Sequence, residues 1–329
     1  MSTGQHILIS RTDAIGDVVL TLPMCGYLKK MHPDCKITFL GRTYTGPVIN
    51  CCTAVDTFLN YDELEKLALS EQIEKLKELK IDTIIHVYPK KAIADLAKRA
   101  GIKIRIGTTN RIPHWLYCNK LVKLSRKKSD LHEAQLNIRL LEPLGIKHIP
   151  AINELPEYYC FRSAEALPAE FAALLGKDKI NIILHPKSAG SGREWDITKF
   201  AELITLLPPD KYRVFISGSQ KEKELLKDWI TKLPKHVVDI TGKLTLPQFI
   251  TFIANADGLI ASGTGPLHIA AETGINAIGL FPSVKRIHAG RWGPIGKKAV
   301  HIESGQDSLD SISAKSVFNK IKDWIIGER

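Results

Sequence analysis

A glycine-rich turn in the last third of the chain has the residue types that bind anions. The apolar run Gly258–Ser262 is typical of a buried strand. Pro266 follows at a position where the first turn of a helix tolerates a missing N–H. Gly274 suits the left-handed residue that ends such a helix. The segment 258–274 therefore predicts a strand, a glycine turn and the N-terminus of a helix.

The N-terminus of a helix attracts anions because its first N–H groups are unpaired and the helix dipole is positive there. Glycines beside Thr264 would let a phosphate approach the backbone, and the threonine hydroxyl can donate a further hydrogen bond. An ordinary N-cap at Thr264 is the alternative, and His268 could either contact phosphate or pack inside the helix. With no Walker or GxGxxG pattern in the sequence, we expect another phosphate-bearing small molecule at Ser262, Gly263, Thr264, Gly265 and His268.

A second loop of the same kind follows another apolar strand, at 186–195 with the sequence PKSAGSGREW. It combines two glycines and two serines with fixed positive charge on Lys187 and Arg193. Such a loop suits a pyrophosphate. The alternative is an exposed mobile loop without a ligand, but the position after a strand favours a binding role for Lys187, Ser188 and Arg193.

A third loop near the N-terminus, RTDAIGD at 11–17, carries two carboxylates. Gly16 would allow a ligand to approach closely. Asp17 opens a predicted helix, where it can cap the first turn and interact with the dipole. A capping aspartate should have a lowered pKa and stay ionised, so that it could accept a proton at neutral pH. The residues alone leave capping and base catalysis both open.

Apolar strands and amphipathic helices alternate in both halves of the chain, which predicts βαβ units and parallel sheets. An irregular stretch with three prolines, 147–168, predicts a linker between domains at 1–155 and 169–310. Each domain would be doubly wound and would face the other across a cleft, with ligands at the carboxyl ends of the strands. The last helix has no strand to pair with, so we expect 311–329 to return to the first domain. Periodicity also predicts long helices over 17–31, 63–79 and 130–144.

Composition narrows the class of protein. The chain has 329 residues with 44% hydrophobic residues, enough for two cores. No apolar run reaches the roughly 18 residues that span a bilayer, and the N-terminus does not resemble a secretory signal. Six cysteines lack CxxC spacing, and we expect reduced thiols of a cytoplasmic protein rather than a metal site.

The net charge of +11 calls for an anionic partner, which could be a small molecule, nucleic acid or a membrane surface. No nucleic-acid-binding signature occurs, and no aromatic residues interleave with the basic run, so nucleic acid is not expected. The basic run itself is either a solvated face or a contact for anionic lipid. Its members are Lys120, Lys123, Arg126, Lys127 and Lys128.

The spaced motifs resemble those of one enzyme family. RTDAIGDVVLTLP, MHPD, GREW and SGTGPLHIAAETG are similar, in this order, to the blocks of glycosyltransferase family 9, the heptosyltransferase-like family. The resemblance implies a GT-B fold with the acceptor in the first Rossmann-like domain and the nucleotide-sugar in the second. It implies metal-independent inverting transfer of a heptose or similar sugar to a lipopolysaccharide-core or other cell-envelope glycan, in the cytoplasm or at the inner membrane face. No cofactor is implied beyond the donor substrate, an ADP-heptose-like or other nucleoside-diphosphate sugar.

The resemblance also assigns roles to individual positions. Asp17 matches the catalytic base of the family, which would take the proton of the acceptor hydroxyl. Arg193 matches a phosphate-contacting basic residue, and Ser188 matches a hydroxyl residue of the same loop. The donor-binding turn matches at Thr264, Gly265 and His268. The acceptor-side candidates of the first domain are Arg11, Asp13 and Gly16.

Two departures from the family pattern lie in the donor half. Gly263 stands where the family often has an acid, and 281–283 reads Phe-Pro-Ser where Phe-Gly-Pro is usual. They leave the identity of the nucleotide-sugar open. Basic and aromatic residues of the next loop could compensate by gripping the diphosphate or the sugar: Lys285, Arg286, His288, Arg291 and Trp292.

Two other functions fit a pair of such domains. A nucleotide-sugar epimerase would act without an acceptor and would need further carboxylates in the cleft. A non-catalytic sugar-nucleotide-binding protein would explain Gly263 as decay of the donor site. A dehydrogenase is disfavoured by the missing GxGxxG motif, and the lack of an Asp-x-Asp motif predicts that no divalent cation takes part.

Overall fold

The structure is a computed structural model that describes residues 5–126, 128–163, 165–188, 190 and 192–327. The chain divides into two compact units, Met1–Arg162 and Ser163–Arg329. Each unit contains one six-stranded parallel sheet with helices around it. This is the α/β architecture that the alternation of strands and helices predicts.

The first unit has the strand order β3-β2-β1-β4-β5-β6. Its strands are β1 His6–Ser10, β2 Lys36–Gly41, β3 Thr57–Asn60, β4 Thr83–His86, β5 Ile104–Thr108 and β6 Lys120–Val122. Its helices are α1 Ile15–Val19, α2 Leu22–Met31, α3 Gly46–Asn50, α4 Tyr61–Leu64, α5 Leu69–Glu78, α6 Lys91–Arg99, α7 Ile112–Tyr117 and α8 Glu133–Ile138. Short 3₁₀ helices span Thr43–Thr45, Arg139–Leu144 and Leu155–Tyr158.

The second unit has the strand order β12-β11-β10-β7-β8-β9. Its strands are β7 Ile180–His185, β8 Tyr212–Ile216, β9 Val238–Asp239, β10 Gly258–Ser262, β11 Asn276–Phe281 and β12 Ala299–Glu303. Its helices are α9 Ala169–Ala172, α10 Ile197–Thr205, α11 Gln220–Ile230, α12 Leu246–Ala254, α13 Gly265–Glu272, α14 Ala289–Trp292 and α15 Ala314–Ile321.

The two sheets share one topology. Counted from the first strand of its own unit, each sheet has the Rossmann order 3-2-1-4-5-6. Strands β1, β7 and β10 are buried along their whole length, as expected for parallel strands covered by helices on both faces. The chain reverses direction across the sheet between β1 and β4 in the first unit and between β7 and β10 in the second. All three loops singled out in the sequence leave these central strands, where doubly wound sheets bind ligands.

Long-range contacts break the predicted helix over 17–31. The structure has two helices there, α1 and α2, separated at Leu20 and Thr21. The Asn137 side chain donates to the Leu20 carbonyl oxygen over 3.1 Å and to the Thr21 hydroxyl over 3.2 Å, and Pro23 opens the next helix. A side chain 117 residues away thus takes up a carbonyl group that a continuous helix would use.

The other two long helices are also shorter than predicted. The segment 63–79 forms part of α4 and then α5, and 130–144 becomes α8 followed by a 3₁₀ helix. Gly145 ends this second segment at φ +88°, the left-handed conformation in which glycine commonly closes a helix. Two strands and four short helices were not predicted at all, namely β6, β12, α3, α7, α9 and α14.

The final helix lies in the second unit, which corrects the prediction that 311–329 returns to the first domain. Val317 and Ile321 of α15 are fully buried in the hydrophobic core of the second sheet, and α15 packs against α10. Just before this helix, the Ile312 carbonyl accepts a 2.9 Å hydrogen bond from Nε1 of buried Trp195. The apolar side chains of this helix therefore cover the core of its own unit.

Among the described residues, no helix combines the length and the apolar character needed to cross a membrane.

Candidate functional site

At the carboxyl end of β1, a buried arginine gathers the carboxylates of the first loop. Arg11 Nε donates to Asp13 Oδ1 over 2.6 Å, and Arg11 Nη2 forms a hydrogen-bonded ion pair with Asp17 Oδ1. The Arg11 side chain is only 4% exposed, whereas those of Asp13 and Asp17 are 23% and 22% exposed. Each carboxylate therefore keeps one edge accessible while Arg11 fixes its orientation.

Asp17 does not have the capping role or the lowered pKa predicted for it. The helix begins at Ile15, its N-cap is Ala14, and no side chain caps it, so Asp17 and Gly16 both lie inside the first turn. Burial raises the pKa of Asp17 to about 6, with repulsion from Asp13 and Glu133 adding to the rise, and the attraction of Arg11 offsets this only in part. A carboxylate with a pKa near 6 is a stronger base than a capping aspartate and is still ionised at neutral pH.

Three further residues complete this cluster. Glu133 in α8 is 1% exposed, lies 3.6 Å from Arg11 Nη1 and accepts a 2.8 Å hydrogen bond from Arg126 Nε. Asn137, one turn later, places its Oδ1 3.5 Å from Arg11 Nη1. Glu133 and Asn137 were not predicted from the sequence, and Arg126 was predicted only as a member of the basic run. The only signal for them is that an acid and an amide stand four residues apart, at a spacing that shares a helix face.

In the second unit, the glycine turn has the predicted strand–turn–helix form. Strand β10 ends at Ser262, α13 begins at Gly265, and Gly274 has φ +82°. Thr264 occupies the N-cap position, but its side chain makes no capping hydrogen bond. The Oγ atoms of Ser262 and Thr264 are buried, and within the described part of the chain neither has a hydrogen-bond partner. Because such hydroxyls normally find a partner, this pair suits a ligand with acceptor oxygens at the helix end.

The loop 186–195 meets this turn, since its parent strand β7 is paired with β10. A Cβ atom added to Gly192 would lie 3.2 Å from the carbonyl oxygen of Gly263, so the two backbones pass close to each other. His268 is buried on the first turns of α13, and Arg193 is exposed. The structure thus brings the predicted donor-side residues of the two loops to the same edge of the second sheet.

Glu194, which was not predicted as a site residue, holds this loop together through hydrogen bonds. Its carboxylate accepts hydrogen bonds from Lys187 Nζ at 2.6 Å and from the Ser188 N–H at 2.9 Å, while the Ser188 hydroxyl donates to the Gly192 carbonyl at 3.0 Å. Burial alone would raise the pKa of Glu194, but the hydrogen bonds from Lys187 and Ser188 to its carboxylate lower the pKa below its usual value. Lys187 is thus partly neutralised, and Arg193 keeps the clearer charge. Ala189 and Ser191 of the predicted loop lie outside the described residues.

The aromatic ring of Phe281 accounts for glycine at position 263. A Cβ atom at Gly263 would lie 2.8 Å from Phe281 Cε1, closer than real contacts allow. The same ring also lies within 2.5 Å of a Cβ built on Gly279. The first departure from the family pattern, at Gly263, therefore lies against the ring of the residue that directly precedes the second departure.

The family resemblance predicts that this turn binds a nucleotide-sugar, so replacing Gly263 with alanine should displace the Phe281 ring and weaken nucleotide binding. We expect a loss of stability of about 1–3 kcal/mol from overpacking and a rise of several-fold in the dissociation constant for ADP, measured by calorimetry. The double variant Gly263→Ala/Phe281→Leu should recover part of both losses. Unchanged ADP affinity in the single variant would show that the turn does not contact the nucleotide.

That no divalent cation takes part in the reaction stays a prediction. Among the described residues, no group of three or more His, Cys, Asp or Glu is placed to hold a metal ion.

The basic loop after β11 is ordered by its own contacts. Trp292 Nε1 donates to the Arg286 carbonyl over 2.9 Å, and the Arg291 guanidinium lies 4.8 Å from the Trp292 ring centre.

Comparison with known proteins agrees with this arrangement. The model of glycosyltransferase family 9 (heptosyltransferase) matches residues 70–322. A Haemophilus influenzae protein, assigned as a glycosyltransferase without a named substrate, is 26% identical over 332 residues, covering 96% of this chain and 95% of its own length.

Two solved structures share the fold. The glycosyl transferase family 9 protein from Veillonella parvula superposes with a TM-score of 0.80 at 18% identity, covering 98% of both chains. E. coli ADP-heptose lps heptosyltransferase II gives 0.76 at 18% identity, covering 97% of both chains. Because the family model spans more than half of the sequence, the chain belongs to glycosyltransferase family 9, the heptosyltransferase family, and is a glycosyltransferase.

Proposed function

We propose that this enzyme transfers a heptose or similar sugar from ADP-heptose, or another nucleoside-diphosphate sugar, to a lipopolysaccharide-core or other cell-envelope glycan. The observation that carries the proposal is the pair of buried hydroxyls, Ser262 and Thr264, at the N-terminus of α13. They lie beside a loop with an exposed arginine, where a diphosphate would be held. The fold shared with the E. coli ADP-heptose lps heptosyltransferase II supports this choice of donor and acceptor.

In the proposed reaction, Asp17 accepts the proton of an acceptor hydroxyl while that oxygen bonds to the anomeric carbon. The bond from the anomeric carbon to the diphosphate breaks through an oxocarbenium-like state, with inversion, and the nucleoside diphosphate leaves with the bonding electrons. Arg193, Lys187 and the N–H groups of α13 stabilise the negative charge that develops on the diphosphate. We propose that these groups make a divalent cation unnecessary.

The proposed place of action is the cytoplasm, at the inner face of the membrane that carries the acceptor. Two features of the chain support it: the six cysteines show no disulfide among the described residues, and the net charge of +11 favours an anionic surface.

Binding of nucleotides tests the donor assignment. The protein should be stabilised by ADP in thermal unfolding, by about 2.7 kcal/mol at 100 times the dissociation constant, and less by GDP or UDP. Stabilisation by NAD without any effect of the three diphosphates would contradict a donor site of this kind. Release of ADP from ADP-heptose only in the presence of a glycan acceptor would separate a transferase from an epimerase, which needs none.

Replacing Arg193 with alanine should lower kcat/KM by about 100-fold to 1,000-fold, because a fixed charge aimed at the leaving group is lost. The measurement is steady-state release of ADP at varied donor concentration. Lys221→Ala, an exposed cation at the start of α11 in the same unit, is the matched control and should act like the wild type. Similar kcat/KM values for the two variants would contradict a role of Arg193 in the donor site.

A further inference from the structure

The positive charge of the chain is concentrated in one stretch of the first unit. Residues 96–129 contain ten of the 46 lysines and arginines and none of the 35 aspartates and glutamates. This stretch alone supplies +10 of the net charge of +11, so the rest of the chain is close to neutral. It includes the end of α6, all of β5, α7 and β6, and it surrounds the basic run noted in the sequence.

Helix α7, in the middle of this stretch, exposes three large apolar side chains. Ile112 is 80% exposed, and Trp115 and Leu116 are each 61% exposed. The helix is held firmly from below, since buried His114 accepts a 2.8 Å hydrogen bond from the Thr108 N–H. This apolar triad, Ile112, Trp115 and Leu116, is therefore displayed on an ordered element.

The surroundings of the apolar triad are basic. Lys98 Nζ donates to the Leu116 carbonyl over 3.2 Å, which brings a cation to the end of the helix. Arg111 directly precedes α7, and Lys120 begins the edge strand β6 three residues after it ends. The exposed basic residues of the stretch are Lys98, Arg99, Lys103, Arg111, Lys120, Lys123 and Lys128. Arg126 is not among them because it pairs with Glu133, and Lys127 lies outside the described residues.

We propose that this surface docks the enzyme on an anionic lipid bilayer, with the apolar triad entering the interface and the surrounding cations contacting lipid phosphates. A tryptophan with its ring exposed and its N–H bonded to protein, here Trp115 Nε1 to the Thr109 carbonyl at 2.8 Å, can place its apolar ring among lipid chains at low polar cost. Basic residues around an apolar helix face are the usual pattern of interfacial binding. Charge complementarity therefore selects an anionic membrane as the partner.

The inference rests on the proposed function in one respect: the membrane contact would bring the enzyme to a membrane-bound acceptor. Its test needs neither donor nor acceptor. A lack of vesicle binding would not contradict the proposed reaction, and a lack of ADP binding would not contradict the proposed membrane surface.

The test is co-sedimentation with phosphatidylcholine vesicles that contain from none to 40% phosphatidylglycerol, at low and high salt. Binding of the wild type should increase with the anionic fraction and decrease with salt. Trp115→Ser/Leu116→Ser should lower the partition coefficient at least tenfold, and Lys120→Gln/Lys123→Gln should lower it at low salt only. Leu225→Ser, at a leucine 70% exposed on the second unit, is the control and should bind like the wild type.

Because the altered side chains are exposed, all variants should keep the thermal stability and the ADP affinity of the wild type. Vesicle binding that does not depend on the anionic lipid fraction would overturn the proposal. Unchanged vesicle binding of the Trp115→Ser/Leu116→Ser variant would also overturn it. Tighter association with a single-stranded oligonucleotide than with anionic vesicles would identify the basic stretch as a nucleic-acid surface instead.

Discussion

Replacing Asp17 with asparagine should lower the turnover of sugar transfer by about 10²–10⁴-fold while leaving the affinity for ADP unchanged. Asparagine keeps the shape of the side chain but cannot accept the proton of the acceptor hydroxyl. The groups proposed to bind ADP all lie in the second unit, so this substitution does not alter them. Steady-state turnover and calorimetric titration with ADP measure the two effects on one sample.

Asp13→Asn is the matched control for this variant. Asp13 is as exposed as Asp17 and pairs with the same arginine, so a general effect of removing a carboxylate from the cluster should appear in both. We expect a far smaller loss of turnover in the Asp13 variant. Equal losses would mean that the cluster acts by charge and that no single carboxylate is the base.

The pH profile gives an independent check. Since the pKa of Asp17 is about 6, kcat/KM should rise as the pH increases through 6 and then level off, because only the ionised carboxylate can take a proton. The Asn variant should lack this rise. A wild-type profile that is flat from pH 5 to 8 would exclude Asp17 as the base.

The same pKa has a consequence for stability, with a definite sign. The folded pKa is raised above its ordinary value of 3.8, so ionisation of Asp17 disfavours folding, and the full cost is present above about pH 6. The Asn variant should therefore be no less resistant to heat than the wild type at pH 8. This result would also show that its loss of activity does not come from unfolding.

Replacing Arg11 with methionine should destabilise the protein by about 3–5 kcal/mol at pH 8, the usual cost of removing one partner from a buried ion pair. Arg11 faces Asp13, Asp17 and Glu133, and Arg126 alone cannot balance all three. Urea unfolding at pH 8 and pH 5 is the measurement. The deficit should shrink at pH 5, where Asp17 takes up a proton.

Arg99→Met provides the comparison for this effect. Arg99 forms an ion pair with Asp95 on the surface of α6, and its side chain is 53% exposed. Exposed pairs contribute about 0–1 kcal/mol, so this variant should unfold close to the wild type. If both arginine variants lost the same stability, burial would not be what makes the Arg11 cluster important.

Much of the fold follows from local patterns in the sequence. Buried parallel strands appear as short apolar runs, and so Gly258–Ser262 was predicted with the bounds that the structure shows, as was an apolar strand that ends directly before residue 186. Caps have local signatures as well. Asp196 is the N-cap of α10, and its carboxylate accepts the Thr198 N–H at 2.8 Å.

The features that sequence analysis missed depend on residues far apart in the chain. Glu133 and Asn137 reach the loop of Asp17 from α8, and no spacing rule connects segments more than 100 residues apart. The pKa of Asp17 was predicted with the wrong sign because burial, its largest cause, exists only in the folded protein. Likewise, the exposure of Trp115 and Leu116 is visible only in the folded structure.

Placement of the last helix inside the second core has a consequence for how the protein is made. With α15 in its own unit, each unit is one uninterrupted length of chain, divided between Arg162 and Ser163. The first sheet can thus close on the ribosome while the second is still being translated, without waiting for a distant C-terminal segment. Two separately expressed polypeptides, cut at that point, should each yield folded material.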